Sequence, residues 1–234
     1  MGQRVVVIGG SSGMGMAVAK MLHSLGHEVV IAGRSVERLE KAKGVIGGGE
    51  AFVLDVMNEG EVARFFEQVG PFDHLVITAA SFVMGSFLKQ AVEEARGFFD
   101  SKFWGQYVAA KHGAPYIRKG GSITFFCGSA GQRPFINFAA GSAINAAIEG
   151  LTRALALELS PIRVNAIAPG TVVTPVWDVV PQGERLKEFE EAAKRLPVKR
   201  VGQPEDVAQA VLYLIQCGYA TGSIVYVDGG GRLV

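Results

Sequence analysis

The chain has 234 residues, a hydrophobic content of 49% and a formal net charge of +1 at pH 7. A chain of this size can bury one large core, and its length requires no second domain. A net charge so near zero provides no electrostatic attraction to nucleic acid or to an anionic membrane. We therefore expect neither as a partner, and a small, partly anionic ligand fits better.

The cysteines and the amino-terminal residues bear on the compartment. Cys127 and Cys217 are the only cysteines, too few for a disulfide framework, so we expect free thiols in a reducing cytosol. The chain opens with a short β-like run that meets glycines, unlike a signal sequence, and no apolar stretch reaches membrane-spanning length. The sequence therefore predicts a soluble, cytoplasmic protein.

Short β-branched runs alternate with longer segments of helical period along the chain. The predicted strands are 4–8, 28–32, 51–54, 74–77, 123–126, 163–167 and 223–227. The predicted helices are 15–25, 35–43, 59–69, about 92–117, 139–159 and 205–216. Continuous apolar strands that alternate with helices indicate an α/β fold with a doubly wound, mainly seven-stranded parallel sheet. Ligands of such sheets bind beyond the carboxyl ends of the strands.

One connection is longer than the others. Residues 171–200 contain several prolines, a tryptophan and a charged middle. Connections of this length in a compact domain often act as functional lids. We therefore expect one domain over residues 1–234, with a substrate lid at about 171–200.

The first strand runs into a glycine-rich turn that opens a helix. Glycines permit a sharp turn and the close approach of a diphosphate, and a helix N-terminus offers unpaired N–H groups and partial positive charge. A turn of this kind can also serve packing alone. The candidate cofactor residues in it are Gly9, Ser11, Ser12, Gly13, Met14 and Gly15.

Arg34 and Ser35 follow the second strand. Folds that prefer NAD place an acidic residue here for the ribose 2′-hydroxyl, and that residue would repel a 2′-phosphate. Arg34 and Ser35 would instead bind the phosphate, and a charge-assisted hydrogen bond contributes roughly 1.5 to 3 kcal/mol. The sequence thus favours NADP(H). The alternative is a solvated arginine beside a serine that caps the next helix.

Residues 128–159 resemble the active-site stretch of short-chain dehydrogenases/reductases, and further matches cover nearly the whole chain. The resemblance implies a Rossmann-type fold. Asp55-Val56 matches the family's adenine-side Asp, and 78–80 match a degraded form of its Asn-Ala-Gly segment. Residues 163–175 match the segment that holds the nicotinamide carboxamide, and 227–230 match the usual ending. The implied cofactor contacts are Asp55, Val56, Thr78, Ala79, Ala80, Pro169, Gly170, Val172 and Thr174.

The same resemblance locates four catalytic positions that carry unusual residues. The family's Ser is replaced by Gly128, its Tyr by Gly141, its Lys by Asn145, and its Asn on the preceding helix by Lys102. The family's Tyr hydroxyl exchanges a proton with the carbonyl oxygen, and its Lys lowers the pKa of that phenol. The usual Asn-Ser-Tyr-Lys tetrad is therefore absent.

Three other residues are candidates to replace the lost groups. Lys102 could project its ammonium into the emptied pocket from another helix, and Ser129 and Ser142 each follow a lost position by one residue. One residue on a helix is a rotation of about 100°, which turns Ser142 away from the direction of Gly141. With Asn145, these are our candidate catalytic residues. The alternatives are a surface lysine and serines that cap the backbone.

Three functions remain open from the sequence. The resemblance to active enzymes favours an NADP(H)-dependent oxidoreductase with a non-standard proton donor over a catalytically silent NADP(H)-binding sensor or regulator. The intact glycine-rich turn and Arg34 weigh against the third possibility, a structural subunit. Segments 82–87, 132–138 and the lid are expected to contact a small, apolar substrate, and no metal-ligand spacing is present. The resemblance also implies a homodimer or homotetramer paired through the two long central helices.

Overall fold

A seven-stranded parallel sheet lies at the centre of the computed structural model, which describes residues 2–79 and 81–234. The strand order is β3-β2-β1-β4-β5-β6-β7, and every neighbouring pair is parallel. The strands are β1 Arg4–Ile8, β2 Glu28–Gly33, β3 Glu50–Val53, β4 Phe72–Ile77, β5 Ile117–Phe126, β6 Arg163–Pro169 and β7 Ile224–Val227. The order reverses beside β1, so the predicted doubly wound α/β fold is confirmed.

Helices cover both faces of this sheet. They are α1 Gly13–Ser24, α2 Val36–Ile46, α3 Glu59–Val69, α4 Val92–Phe99, α5 Gly105–Gly113, α6 Ala139–Glu158, α7 Gln182–Arg195 and α8 Pro204–Gln216. One apolar layer contains Phe66 and Phe98, and the opposite layer contains Leu22 and Val211. The two layers bury the two faces of the sheet. The edge at which the strands end is left accessible to ligands. In the described part of the chain, no helix combines the length and the apolar character needed to cross a bilayer.

Helix α7 lies within the long connection over 171–200, where no helix was predicted. It is a regular helix of 14 residues, and none of its side chains is buried. An amphipathic pattern predicts a helix when one face packs on a core. Because α7 lies on the surface, it has many charged residues, and such residues are also typical of loops.

The long predicted helix at 92–117 is interrupted. A π-helical turn at Asp100–Trp104 separates α4 from α5. A π turn inserts one extra residue into the helix and leaves a carbonyl without its usual partner. Gln106 Nε2 donates to Lys102 O and to Phe126 O, both at 2.9 Å, and Gln106 Oε1 accepts from Phe126 N at 2.9 Å. This buried amide thereby fixes the π turn against the end of β5.

Candidate active site

A cleft of about 1430 Å³ opens at the carboxyl edge of the sheet. Its walls include the residues that follow β1, β2, β4, β5 and β6, namely Gly9, Arg34, Thr78, Cys127 and Gly170. Pockets for a single small ligand occupy roughly 300 to 1,000 Å³. The cleft is therefore large enough for a dinucleotide together with a second small molecule.

The residues predicted to bind the cofactor come together in this cleft. Ala80 lies outside the described residues. The others that line the cleft are Gly9, Ser11, Ser12, Gly13, Met14, Gly15, Arg34, Ser35, Asp55, Val56, Thr78, Ala79, Pro169, Gly170, Val172 and Thr174. Their contacts with a cofactor stay a prediction.

The glycine-rich turn is closed against β4, which explains its composition. A Cβ atom at Gly15 would lie 2.3 Å from Gly9 O and 2.5 Å from Thr78 Oγ1. Gly9 has a φ of 90°, in the left-handed region that favours glycine. Helix α1 begins at Gly13, and the side chain of its N-cap, Ser12, makes no capping hydrogen bond. The first N–H groups of α1 therefore face the cleft free for an anion.

Arg34 and Ser35 line the far end of the cleft, after β2. Ser35 Oγ accepts from Arg38 N at 3.3 Å and caps α2, as the alternative interpretation of this serine predicted. Arg34 is exposed. Arg38, which was not predicted, also lines this end of the cleft, four residues after Arg34. The four-residue spacing of two arginines was the available signal.

Lys102 projects from the π turn into the cleft. Its Nζ donates to Asn145 Oδ1 at 2.8 Å and to Cys127 O at 3.0 Å. Burial lowers the pKa of the Lys102 ammonium to about 8. An ammonium has three N–H donors, and two are used by these oxygens. The third N–H is available to a molecule in the cleft.

Asn145 occupies the space beside Gly128. Asn145 is 2% exposed, and a Cβ at position 128 would lie 2.8 Å from Asn145 Nδ2. A heavy-atom contact that short forces a neighbouring group to move. The absence of a side chain at Gly128 is thus what allows Asn145 to receive the Lys102 hydrogen bond.

Phe138 occupies the space beside Gly141. A Cβ at Gly141 would lie 2.2 Å from Phe138 Cζ and 2.3 Å from Phe138 Cε1. The Phe138 ring is buried, stacks on Phe135 at a centroid distance of 4.7 Å, and contacts Phe82 at 5.3 Å. Its neighbours hold the ring in place, so position 141 has no room for a side chain.

The two candidate serines are placed differently. Ser129 lines the cleft in a short 3₁₀ turn at Ser129–Gly131. Ser142 does not line it, and Ser142 Oγ is buried without a hydrogen-bond partner among the described residues. The helical rotation between positions 141 and 142 accounts for this difference. The hypothesis that Ser142 brings a hydroxyl to the cleft is therefore wrong.

An aromatic wall, defined as Phe82, Phe135, Phe138, Trp177 and Phe189, lines the rest of the cleft. The Trp177 ring lies 6.2 Å from Phe82 and 5.4 Å from Phe189 of α7. Trp177 Nε1 also donates to Val172 O at 3.0 Å. The sequence analysis named three of the contributing segments but not the wall, because its contacts join residues far apart in sequence.

The contact between Gly141 and Phe138 predicts an unusual response to alanine. Gly→Ala inside a helix normally stabilises a protein by roughly 0.5 to 1 kcal/mol. We expect Gly141→Ala instead to lower the free energy of unfolding by about 1 to 3 kcal/mol, because the new methyl group overlaps a packed ring. Chemical denaturation measures this difference.

Gly150→Ala is the matched control, since a Cβ at Gly150 in the same helix meets nothing within 4 Å. This variant should be stabilised. In a Phe138→Ala background the penalty at position 141 should disappear. A stabilised Gly141→Ala variant in the otherwise unchanged protein would contradict the assigned packing.

Comparisons with known proteins agree with this geometry. Residues 8–231 match the family model described as Enoyl-(Acyl carrier protein) reductase. The "Short-chain dehydrogenase/reductase ATR9" of Stachybotrys chlorohalonatus is 34% identical over 252 residues, which cover 99% of this chain and 98% of that protein.

Solved structures give the same assignment. A small-chain dehydrogenase in complex with NADPH has a TM-score of 0.88 and 38% identity, with 100% of both chains covered. An NADPH-bound short-chain oxidoreductase from Pseudomonas aeruginosa that contains an atypical catalytic center has a TM-score of 0.91 and 28% identity, with 97% of this chain and 96% of that chain covered. The chain therefore belongs to the family of short-chain dehydrogenases/reductases and is an oxidoreductase of that type.

Proposed function

We propose that this chain is an NADP(H)-dependent reductase of an apolar carbonyl compound or related acceptor, with the Lys102 ammonium as its proton donor. The observation that carries the proposal is the Lys102 side chain, held at the cleft by Asn145 Oδ1 and Cys127 O. Lys102 belongs to the connection between β4 and β5. The glycine-rich turn follows β1, and most residues of the aromatic wall follow β5 or β6. A hydride acceptor bound there would meet a cation and apolar rings.

The residues at the cofactor end fit NADP(H). The turn at Gly9–Gly15 leaves backbone room for a diphosphate, and Arg34 and Arg38 provide two cations for a 2′-phosphate. No acidic residue occupies position 34 or 35 to favour NAD. Two related structures hold NADPH. When bound, this cofactor supplies a hydride from nicotinamide C4 to the acceptor.

The proposed centre differs from the usual Asn-Ser-Tyr-Lys arrangement at four positions, and the residues at these positions fit one another or their neighbours. Gly128 leaves room for Asn145, and Asn145 accepts a hydrogen bond from Lys102. Gly141 leaves room for the Phe138 ring. One related oxidoreductase also has an atypical catalytic center. The four substitutions thus form a consistent replacement for the usual groups.

Lys102 has the properties needed of a proton donor. Reduction of a carbonyl group places negative charge on its oxygen, and a positioned ammonium stabilises that charge and transfers a proton. The pKa of Lys102, lowered to about 8 by burial, keeps the group mainly protonated at neutral pH and readily able to give up the proton. Ser129, which lines the cleft, is the hydroxyl-bearing candidate that we propose to assist in orienting the acceptor.

We also propose that residues 171–200 form a lid on a single domain of residues 1–234. The contacts of Trp177 with Phe82 and Phe189 support this role, because they join α7 to the wall of the cleft. Closing such a segment excludes water from the reacting atoms. The unburied α7 is free to move without disrupting the core.

A homodimer or homotetramer in the cytoplasm is part of the same proposal. Trp104 and Tyr107 of the interrupted helix are 50% and 38% exposed, and Leu157 of α6 is 82% exposed. Exposed apolar groups on two neighbouring helices are typical of protein interfaces. Sedimentation velocity should therefore detect a dimer or tetramer at micromolar concentration, and a monomer there would contradict this point.

Arg34→Asp should change the cofactor preference. Replacing a cation with an anion removes a charge-assisted bond and adds repulsion, so the Kd for NADPH should rise by about tenfold or more. The Kd for NADH should change by less than about twofold, because NADH lacks the 2′-phosphate. Fluorescence titration of both cofactors measures the two constants.

Arg64→Asp is the control, since Arg64 is exposed on α3 and does not line the cleft. It makes the same change of charge at a distance from the cofactor. Equal losses of NADPH and NADH affinity in Arg34→Asp would contradict the assignment of NADP(H).

Lys102→Met should remove the proton donor and retain the length of the side chain. We expect kcat for NADPH oxidation with activated carbonyls, quinones or enones to fall by about 10²- to 10⁴-fold. The Kd for NADPH should stay within about threefold of the wild-type value. Lys111→Met, at an exposed lysine of α5, should leave kcat unchanged.

The pH profile provides an independent readout. Because the donor must be protonated, wild-type kcat should fall as the pH rises through about 8. In Lys102→Arg the cation persists across this range, so any remaining activity should lack that fall. NADPH binding without turnover of any acceptor by the wild-type protein would overturn the catalytic proposal.

A further inference from the structure

Three arginines, Arg133, Arg195 and Arg232, line the part of the cleft near Gly231. Arg133 Nη1 donates to Gly231 O at 2.8 Å. The guanidinium of Arg232 lies 4.0 Å from the centre of the Tyr226 ring. Arg195 precedes Leu196, whose Cδ2 lies 3.1 Å from the position that a Cβ of Gly231 would take. All three arginines line the cleft and are exposed.

Within residues 2–79 and 81–234, none of these arginines forms a salt bridge with a carboxylate. The carboxylate of Asp228 lines the same cleft, but its oxygens accept from the backbone N–H groups of Gly230 and Arg232. Glu191, one turn before Arg195, is hydrogen-bonded by Lys194. The pKa of Glu191 is lowered by the hydrogen bond from Lys194 and also by the charge of Arg195, so part of the Arg195 charge acts on that carboxylate. The charges of Arg133 and Arg232 are therefore the ones most available to a ligand.

Two glutamates of α7 face the same cleft. Glu184 and Glu188 line it at earlier turns of the helix than Arg195. These carboxylates would repel an anion at their end of α7. The favourable place for an anion is consequently among the guanidinium groups near Gly231, whose positive charge outweighs the partial negative charge at the carboxyl end of α7.

The arginine cluster, defined as Arg133, Arg195 and Arg232, is separate from the cofactor phosphates. Arg34 follows β2, whereas Arg133 follows β5, three strands away in the sheet, and Arg232 follows β7, five strands away. Neighbouring strands lie about 4.8 Å apart, so β5 and β7 lie about 14 and 24 Å from β2. Arg133 also reaches beyond β7, since it donates to Gly231 O. The cluster therefore serves a different ligand group from the 2′-phosphate.

We propose that the substrate carries an anionic oxygen group, a carboxylate or a phosphate ester, that the arginine cluster binds at the cleft mouth. This inference rests on the proposed function. The apolar part of the substrate extends from the cluster along the aromatic wall toward Lys102. Phe135 connects the two regions, because it lies two residues after Arg133 and also lines the cleft.

The chemistry of the cluster fits this group. A guanidinium has five N–H donors, and Arg133 uses one N–H toward Gly231 O, so a planar fork remains for two anionic oxygens. Stacking of Arg232 on Tyr226 fixes its guanidinium without consuming its charge. An anion bound here also gives an elongated substrate one orientation, with its reducible carbon toward Lys102.

The test compares three probes of the same shape on protein saturated with NADP⁺, which fills the phosphate sites of the cofactor. The probes are biphenyl-4-carboxylate, biphenyl-4-yl phosphate and the neutral biphenyl-4-carboxamide, titrated by calorimetry in a buffer free of phosphate and carboxylate. At least one anion should bind about tenfold or more tightly than the amide. The tighter anion identifies the carboxylate or the phosphate ester as the recognised group.

Variants assign this preference to the cluster. Arg133→Gln and Arg232→Gln should each reduce anion affinity by about tenfold and leave amide affinity unchanged. Arg133→Lys and Arg232→Lys keep the charge and should retain most of the preference, which separates ligand binding from a structural role. Arg64→Gln, away from the cleft, should behave like wild type.

The outcomes distinguish this inference from the proposed function. Equal affinities for the anions and the amide, absence of anion binding at millimolar concentration, or Gln variants that retain the preference would overturn the anion site alone. Failure of the wild-type protein to bind NADP⁺ would overturn the proposed function, and with it the inference.

Discussion

The hydrogen bond of 2.8 Å from Lys102 Nζ to Asn145 Oδ1 joins the π turn to helix α6, and both residues line the cleft. Burial of an ammonium is costly unless oxygen atoms replace its water, and Asn145 together with Cys127 O supplies two of them. A lysine at 145, as the family usually has, would instead set two ammonium groups against each other. The identities of positions 102 and 145 therefore depend on one another, and Gly128 supplies the space that Asn145 needs.

Phe138 has a comparable effect on the apolar side. Its ring fills the volume beside Gly141 and belongs to a chain of contacts that runs through Phe82 and Trp177 to α7. A side chain at position 141 would displace that ring and disturb its contacts toward α7. The absence of a side chain at 141 therefore depends on Phe138, as the absence of one at 128 depends on Asn145.

The sequence predicted the features that depend on local patterns. Strand periodicity and the glycine-rich turn located the sheet and its ligand-binding edge, because the backbone conformations involved are encoded within a few residues. β5 begins at Ile117, whereas the predicted strand began at residue 123. The early part of the strand was not predicted, because Gly120 and Gly121 interrupt the apolar pattern there. The π turn and the Phe138 ring could not be predicted, since both depend on contacts with distant segments. Helix α7 was missed because charged residues dominate its sequence, although Leu186, Phe189 and Ala193 recur at helical spacing.

The distribution of charge in the cleft has a further physical consequence. Arg34 and Arg38 lie at one end, Lys102 lies between, and the arginine cluster lies at the other end, although the whole chain has a net charge of only +1. Four acidic residues, Asp55, Glu184, Glu188 and Asp228, also line the cleft, so its cations are partly balanced locally. An anionic cofactor and an anionic substrate would repel each other in a cleft without such cations. In the proposed complex each anion is paired with its own guanidinium groups, and this pairing reduces the repulsion between cofactor and substrate. The Lys102 ammonium is then positioned, in the proposed reaction, to stabilise the negative charge that develops on the acceptor oxygen.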